Sequence, residues 1–269
     1  MSLIVTIRTT EGAVMAADSR TTWSTTLSPD KTMVGIHFSD TANKLFLVGN
    51  RVGVSTCGDA SVKGRSISSW MDEFIDVDCP SGESVSSIAG RLGEFFCNLK
   101  PKKNVAFHVT GYEDMDDGHT VLAFYKVNVS HNGEYAVSNA ARGCGAAWDG
   151  EIVTISRLIK DCFIADVSDI VPVKNLVINS KDSEGKEITT NLGDVTAISP
   201  KALHFPEATI MWRSFTLQEA IDFAVYAIRT TIATMRFQSQ PVTVGEPIDL
   251  LVIKPHQAMW LSKKELHMS

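Results

Sequence analysis

SLIVTIRTTEGAVMAADSR, residues 2–20, decides how this chain folds. Residues 2–9 and 13–21 read as two β-strands, since apolar and β-branched side chains dominate both, and Thr10-Glu11-Gly12 between them is turn chemistry. A turn centred near residues 10–12 sets opposite each other residues whose numbers sum to about 22. Ser2 then faces Arg20, with Asp18 two places along on the same face of the hairpin's open end.

Working outward, two further strands are expected at Lys44–Gly49 and Arg51–Thr56, turning at Gly49-Asn50. The polar stretch Thr22–Asn43, which carries Pro29, reads as a long loop or an extended hairpin tip. Ile67, Trp70, Met71, Phe74 and Ile75 recur at helical spacing within residues 60–75, and so do Val85, Ile88, Ala89, Leu92, Phe95, Phe96 and Leu99. Strands follow at Val105–Tyr112, Val121–Val129 and Tyr135–Ala140. A third helix is expected after Gly143-Cys144-Gly145, running to about Phe163.

Thr216-Leu217-Gln218-Glu219 has capping-box spacing and opens a fourth helix, and Ile248–Ile253 is a last buried strand. Residues 164–213, with hairpin-like runs around Asp182–Gly185, read as an insertion within a single domain spanning residues 1–269. Strands, paired helices, strands, paired helices and a strand together imply an α+β chain whose helices flank packed sheets.

Composition narrows the function. The 269 residues are 44% apolar and 21% charged, with a net charge of -6, which argues against a protein that grips nucleic acid. No apolar run is long enough for a membrane span, and residues 1–20 lack a secretory pattern. The five cysteines are unpaired in spacing and lack metal-ligand neighbours, so reduced thiols, a cytoplasmic setting, and no metal or cofactor are expected.

The chemistry expected of the hairpin is hydrolytic. A serine hydroxyl needs a base, and removal of Met1 would give Ser2 a free α-amino group, with a reference pKa near 8, to act as one. Asp18 ends the apolar run Ala13–Ala17 and needs a cation; Lys44, at the start of a strand, is the candidate. Such an ammonium beside the nucleophile lowers the hydroxyl's proton affinity. Gly58 stands at a strand end before a helix, where a backbone N–H can meet an oxyanion.

Jointly these residues resemble the proteasome β-subunit family of N-terminal nucleophile hydrolases, closest to its bacterial Anbu branch. Ser2 precedes Gly12 of the stretch Gly12–Arg20 by ten residues, as the family's nucleophile does, and Lys44 precedes Gly58 by the family's fourteen. Arg142-Gly143-Cys144-Gly145 looks like the family's Gly-Ser-Gly segment. Thr234-Met235-Arg236 and Val244–Asp249 look like the Anbu tail.

The resemblance covers roughly residues 2–163 and 214–253. It implies a four-layer αββα sandwich and a peptidase acting on peptide or protein substrate, with Ser2 as nucleophile. Asp18 and Lys44 would support it, Gly58 would be the oxyanion donor, and Arg20 and Cys144 would have secondary roles. It also implies a homo-oligomer, in a ring or related assembly, and leaves an unfoldase partner open. The chain departs from the family in having serine for threonine, Cys144 for serine, Pro241 and Val244 where an aspartate and a serine assist, a longer 22–43 stretch and the insertion. Two other readings stand beside it: a catalytically silent scaffold or binding subunit of the same fold, and Cys144 as the nucleophile.

Overall fold

A computed structural model describes residues 2–26, 34–78, 82–115, 118–139, 143–159, 170–181, 187–198 and 210–265. Pro29, Arg142, Phe163 and the Asp182–Gly185 turn lie outside these described residues. Contacts divide the chain into two units, Met1–Ile155 with Ile210–Ser269, and Ser156–Thr209.

The chain begins with β1 (Leu3–Arg8) and β2 (Ala13–Ala17), then forms a second hairpin from β3 (Thr21–Thr26) and β4 (Val34–Ser39). β5 (Leu45–Val48) and β6 (Val52–Gly58) follow, then the short pair β7 (Ser61–Val62) and β8 (Arg65–Ser66). Next come α1 (Ile67–Glu73), α2 (Val85–Leu99), β9 (Val105–Asp114), β10 (Thr120–Val129), β11 (Tyr135–Asn139), β12 (Gly145–Gly150) and α3 (Val153–Ile159). β13 (Ile170–Lys181) and β14 (Glu187–Ile198) pair antiparallel with each other in the second unit. The first unit resumes with α4 (Leu217–Met235), β15 (Asp249–Lys254) and β16 (Gln257–Ser262).

Two five-stranded antiparallel sheets organise the first unit, in the orders β12-β1-β2-β15-β16 and β11-β10-β9-β6-β5. Ile4, Met15, Leu251 and Ile253 of the first sheet pack with Leu45 and Cys57 of the second. On the second sheet's other side, α1 and α2 bury Met71, Phe74, Leu92 and Phe96 against Phe107, Val109 and Val127. α4 packs on β1 and β2, burying Leu217, Ala224, Ala227 and Ile228. Helix, sheet, sheet, helix is the αββα order. The capping box at Thr216 and Glu219 is present, and Glu11 Oε2 accepts from Leu217 N–H at 3.0 Å, tying the first turn to α4.

Several expectations shift in detail. β1 and β2 pair with Ile4 opposite Ala17, a sum of 21, because the turn closes by Thr9 N–H donating to Gly12 carbonyl at 2.8 Å. Thr9 Oγ1 accepts from Glu11 N–H inside that turn. Asp18 therefore sits beside Leu3, and Ser2, Asp18 and Arg20 do not share a face by register.

Within the stretch Thr22–Asn43, β3 and β4 pair antiparallel, with Thr22 opposite Phe38 and Trp23 opposite His37. The first helix starts at Ile67, capped by Ser66, because β7 and β8 occupy residues 61–66. The segment after Cys144 is not a helix at first: Gly145–Gly150 is β12, pairing with the open edge of β1, and helix begins only at Val153. Glycines at 143 and 145 disfavour helix, and the backbone groups of β1 need a partner. The edge strand β16 is an addition to what periodicity indicated.

One polar cluster crosses between the sheets. His108 on β9 is fully buried; its Nδ1 lies 2.9 Å from Thr6 Oγ1 and its Nε2 2.8 Å from Asp149 Oδ2. Lys126 Nζ reaches Asp149 Oδ1 at 2.6 Å. Burial pushes the His108 pKa below its usual value and outweighs the opposing pull of Asp149. The unfolded chain binds that proton below about pH 6.5, while the folded chain resists it to lower pH. Stability is therefore complete above about pH 6.5 and falls below it, by up to about 1.4 kcal/mol per pH unit for this group. Urea midpoints measured from pH 8 to pH 5 are expected to drop below pH 6.5 in the wild type and less steeply in His108→Gln; equal slopes contradict the assignment.

Candidate active site

Asp18 follows the last residue of β2 and is wholly buried, so its carboxylate must be satisfied from within. Oδ1 accepts from Leu3 N–H at 2.9 Å and from Lys44 Nζ at 2.7 Å. Oδ2 accepts from Arg20 N–H at 3.0 Å and Gly245 N–H at 3.1 Å. Four donors from four chain segments thus converge on one side chain.

Lys44 precedes β5 and is held twice more. Its Nζ donates to the Arg20 carbonyl at 2.5 Å, and its own carbonyl accepts from Thr56 N–H at 2.9 Å. Burial pushes the Lys44 pKa down, against the counter-pull of Asp18. The result is an ammonium that parts with its proton more readily than a solvated lysine, held against a fixed carboxylate.

Arg20 points away from Asp18 and closes on Asp40, with Nε to Oδ1 at 2.6 Å and Nη2 to Oδ2 at 2.7 Å. The Asp40 hydrogen bond raises the Arg20 pKa, and the Arg20 hydrogen bond holds Asp40 below the usual carboxylate range. Arg20 Nη1 also donates to the Val242 carbonyl at 3.1 Å, and Ser19 Oγ to the Pro247 carbonyl at 2.5 Å. The segment before β15 is thereby pinned beside the nucleophile candidate.

Ser2 is 8% exposed and stands where two cavities meet. A mainly polar one of about 510 Å³ is lined by Ser2, Arg20, Trp23, Lys44 and Gly58. The other, about 570 Å³ and more apolar, is lined by Ser2, Gly58, Val105, Val129, Tyr135 and Gly150. Gly58 ends β6 with φ +110°, where a side chain would strike the Asn104 carbonyl.

Ser2, Lys44 and Gly58 thus border one cavity, with Asp18 behind Lys44 and Arg20 on its rim. Cys144 does not join them. It precedes the end of β12 that pairs with Arg8, while the opposite end, Gly150, pairs with Leu3, so Cys144 lies on the order of 20 Å along the sheet from Ser2. It is half-buried and lines neither cavity.

The residues that do meet Ser2 from that strand are Gly150 and Glu151, which sequence spacing did not single out. Glu151 N–H donates to the Ser2 carbonyl at 2.7 Å, and a side chain on Gly150, whose φ is +99°, would run into that same carbonyl. The signal was the glycine before the helix, masked by reading Gly143-Cys144-Gly145 as the helix start. Asp40 was likewise missed, because nothing local in a polar hairpin marks one carboxylate as a partner.

Cys57 borders both cavities, yet burial pushes its thiol up to about 12, so it is not a thiolate at neutral pH. No described histidine lines either cavity. Among the described residues no group of three or more histidine, cysteine or carboxylate side chains is arranged to hold a metal ion. Nor is any described helix long and apolar enough to cross a membrane.

No family model matches the chain, and no curated protein matches it in sequence. Solved structures do. Anbu, the ancestral β-subunit, from Yersinia bercovieri aligns over 98% of this chain and 88% of its own at 15% identity, with a TM-score of 0.53. A Gly-1 mutant of Anbu from Hyphomicrobium sp. strain MC1 aligns over 98% and 86% at 14% identity, TM-score 0.51. Eukaryotic HslV from Trypanosoma brucei aligns over 94% and 99% at 12% identity, TM-score 0.46. Likeness at this level of identity is a likeness of fold, and the fold of this chain is the proteasome-related αββα sandwich of the Anbu subunits.

Proposed function

We propose that the protein is an N-terminal-nucleophile amide hydrolase, a proteasome-like endopeptidase whose nucleophile is Ser2 once Met1 has been removed. The observation that carries this reading is the buried Asp18–Lys44 pair, 2.7 Å apart, in the wall of the cavity that Ser2 and Gly58 also border. A buried ion pair contributes little to stability by itself, since desolvation offsets its attraction. Its place beside a hydroxyl and a chain end gives it a use. The absence of a described histidine from both cavities leaves the α-amino group as the base.

The steps follow from those positions. The α-amine takes the hydroxyl proton as Ser2 Oγ bonds to the substrate's amide carbon, and the carbonyl oxygen becomes an oxyanion facing the Gly58 N–H. The C–N bond breaks, the amine's extra proton passes to the leaving nitrogen, and an ester to Ser2 remains. Water adds to that ester with the same amine as base; the C–O bond breaks, Ser2 regains its proton, and the carboxylic acid leaves. The Lys44 ammonium lowers the hydroxyl's proton affinity throughout, and Asp18 fixes Lys44. The same reading carries a homo-oligomeric assembly in the cytoplasm with peptide or protein as substrate. Tyr226 and Phe237, exposed on and just after α4, are apolar surface that an assembly would cover.

An electrophilic inhibitor of the type that traps N-terminal nucleophiles is expected to add once to Met1-free protein, at Ser2, and not at all to Ser2→Ala, as read by intact and peptide mass. Met1-free protein that stays unlabelled overturns the hydrolase and leaves a silent scaffold of the same fold. Labelling at Cys144 would transfer the role there.

Lys44→Ala is expected to slow labelling by roughly 10²–10⁴-fold, the range lost with a positioned acid–base or electrostatic group. It should also cost about 3–5 kcal/mol of stability in urea, because Asp18 is left as an unpaired buried charge. A folded Lys44→Ala protein that labels at the wild-type rate removes Lys44 from the mechanism.

A further inference from the structure

Four acidic side chains are buried among the described residues, and three of them have partners. Asp18 has Lys44 and three backbone amides. Glu113 accepts from Ser86 N–H at 2.5 Å and Tyr125 Oη at 3.1 Å. Asp249 accepts from the Lys264 ammonium and backbone. Glu151, 7% exposed, has no hydrogen bond or ion pair to its carboxylate among the described residues.

Its position says what is missing. β1 and β12 run antiparallel with Leu3 opposite Gly150, so the next pair outward is Ser2 opposite Glu151, joined by the 2.7 Å bond from Glu151 N–H to the Ser2 carbonyl. Residues across from each other in such a hydrogen-bonded pair have Cα atoms about 5.5 Å apart. While Met1 is attached, the nitrogen of Ser2 is a neutral amide. Removal of Met1 turns it into an ammonium, a new cation across from a carboxylate that has no cationic partner among the described residues.

We propose that Glu151 is the built-in counter-ion of the Ser2 α-ammonium, a positioning residue that holds the nucleophile's own base in place. The inference rests on the reading of Ser2 as a processed N-terminus. It gives the ladder-end bond to Ser2 and the bare Gly150 a joint purpose: the backbone holds the Ser2 carbonyl, and the side chain of the next residue holds the Ser2 nitrogen.

The pairing has a cost in acid–base terms. A carboxylate neighbour favours the protonated amine, so the base is freed at a higher pH than the other surroundings would set. Those surroundings are the Asp18–Lys44 pair at the ends of β2 and β5, and the Asp149, His108 and Lys126 cluster on β12, β9 and β10. Arg20, Asp59 and Lys103 on the polar cavity, Glu134 on the apolar one and the Cys57 thiol on both stand with them. None of these changes in Glu151→Gln, so the difference between that variant and the wild type reports Glu151 alone.

The test uses full-length protein whose loss of Met1 is verified by intact mass. The rate of α-amine acylation by dilute acetic anhydride is followed from pH 6 to pH 10 at the N-terminal peptide. The amine of Glu151→Gln is expected to titrate about one pH unit below the wild type, so that on the acid side it reacts about tenfold faster; Glu151→Asp should stay closer to the wild type. The acid limb of Ser2 labelling should move in the same direction.

Equal midpoints in wild type and Glu151→Gln overturn the proposal even if Ser2 labels. A shifted midpoint without labelling supports the pair and overturns the hydrolase. Should Glu151→Gln fail to fold, Glu151→Ala carries the comparison, and a midpoint identical to the wild type in that uncharged variant overturns the proposal.

Discussion

Everything near the chain start depends on the Asp18 carboxylate. It is wholly buried, and each oxygen takes two donors: the backbone of β1 and the Lys44 ammonium on one, the backbone of Arg20 and of Gly245 on the other. Those donors come from segments up to 227 residues apart in sequence. An unpaired carboxylate there would be costly, so the fold is committed to bringing β1, β5 and the approach to β15 to one point. The same constraint places Lys44, whose ammonium meets Asp18, on the cavity that Ser2 also lines.

The polar link between the sheets serves a related end. Thr6 and Asp149 belong to the first sheet, His108 and Lys126 to the second, and their hydrogen bonds fix how the sheets face each other where apolar packing alone would allow slip. Asp149 stands immediately before Gly150 and Glu151, so the link also fixes the residues that hold Ser2. Phe124 packs edge-on to the buried His108 at 5.0 Å between ring centres.

Elements with strong periodicity could be read from the sequence: α2, α4, β9, β10 and the first hairpin come from repeating apolar positions that tertiary contacts reinforce. That Ser2, Lys44 and Gly58 come together at one cavity, with Asp18 against Lys44, was legible through spacing, since hairpin length and strand length convert directly into position. What was not legible depended on a single residue of phase or on a partner far away. A two-residue turn rather than a three-residue one moved the register from 22 to 21 and put Asp18 beside Leu3. Ala146-Ala147-Trp148 carries no period of its own, so it became strand only because β1 had an edge to fill. Glu151 could not be singled out without knowing which strand ends beside Ser2.

The choice of base follows from what the fold has already used. His108, the histidine set between the sheets, has both ring nitrogens engaged and no route to either cavity. Cys57, the thiol bordering both cavities, is held protonated by its own burial. Lys44 is tied to Asp18 and to the Arg20 carbonyl. In the proposed reaction these three side chains are engaged elsewhere, and the base is the main-chain nitrogen of Ser2. The proposed nucleophile stands just before β1, an interior strand that β12 and β2 hold on both sides, and a strand held in that way keeps its start still.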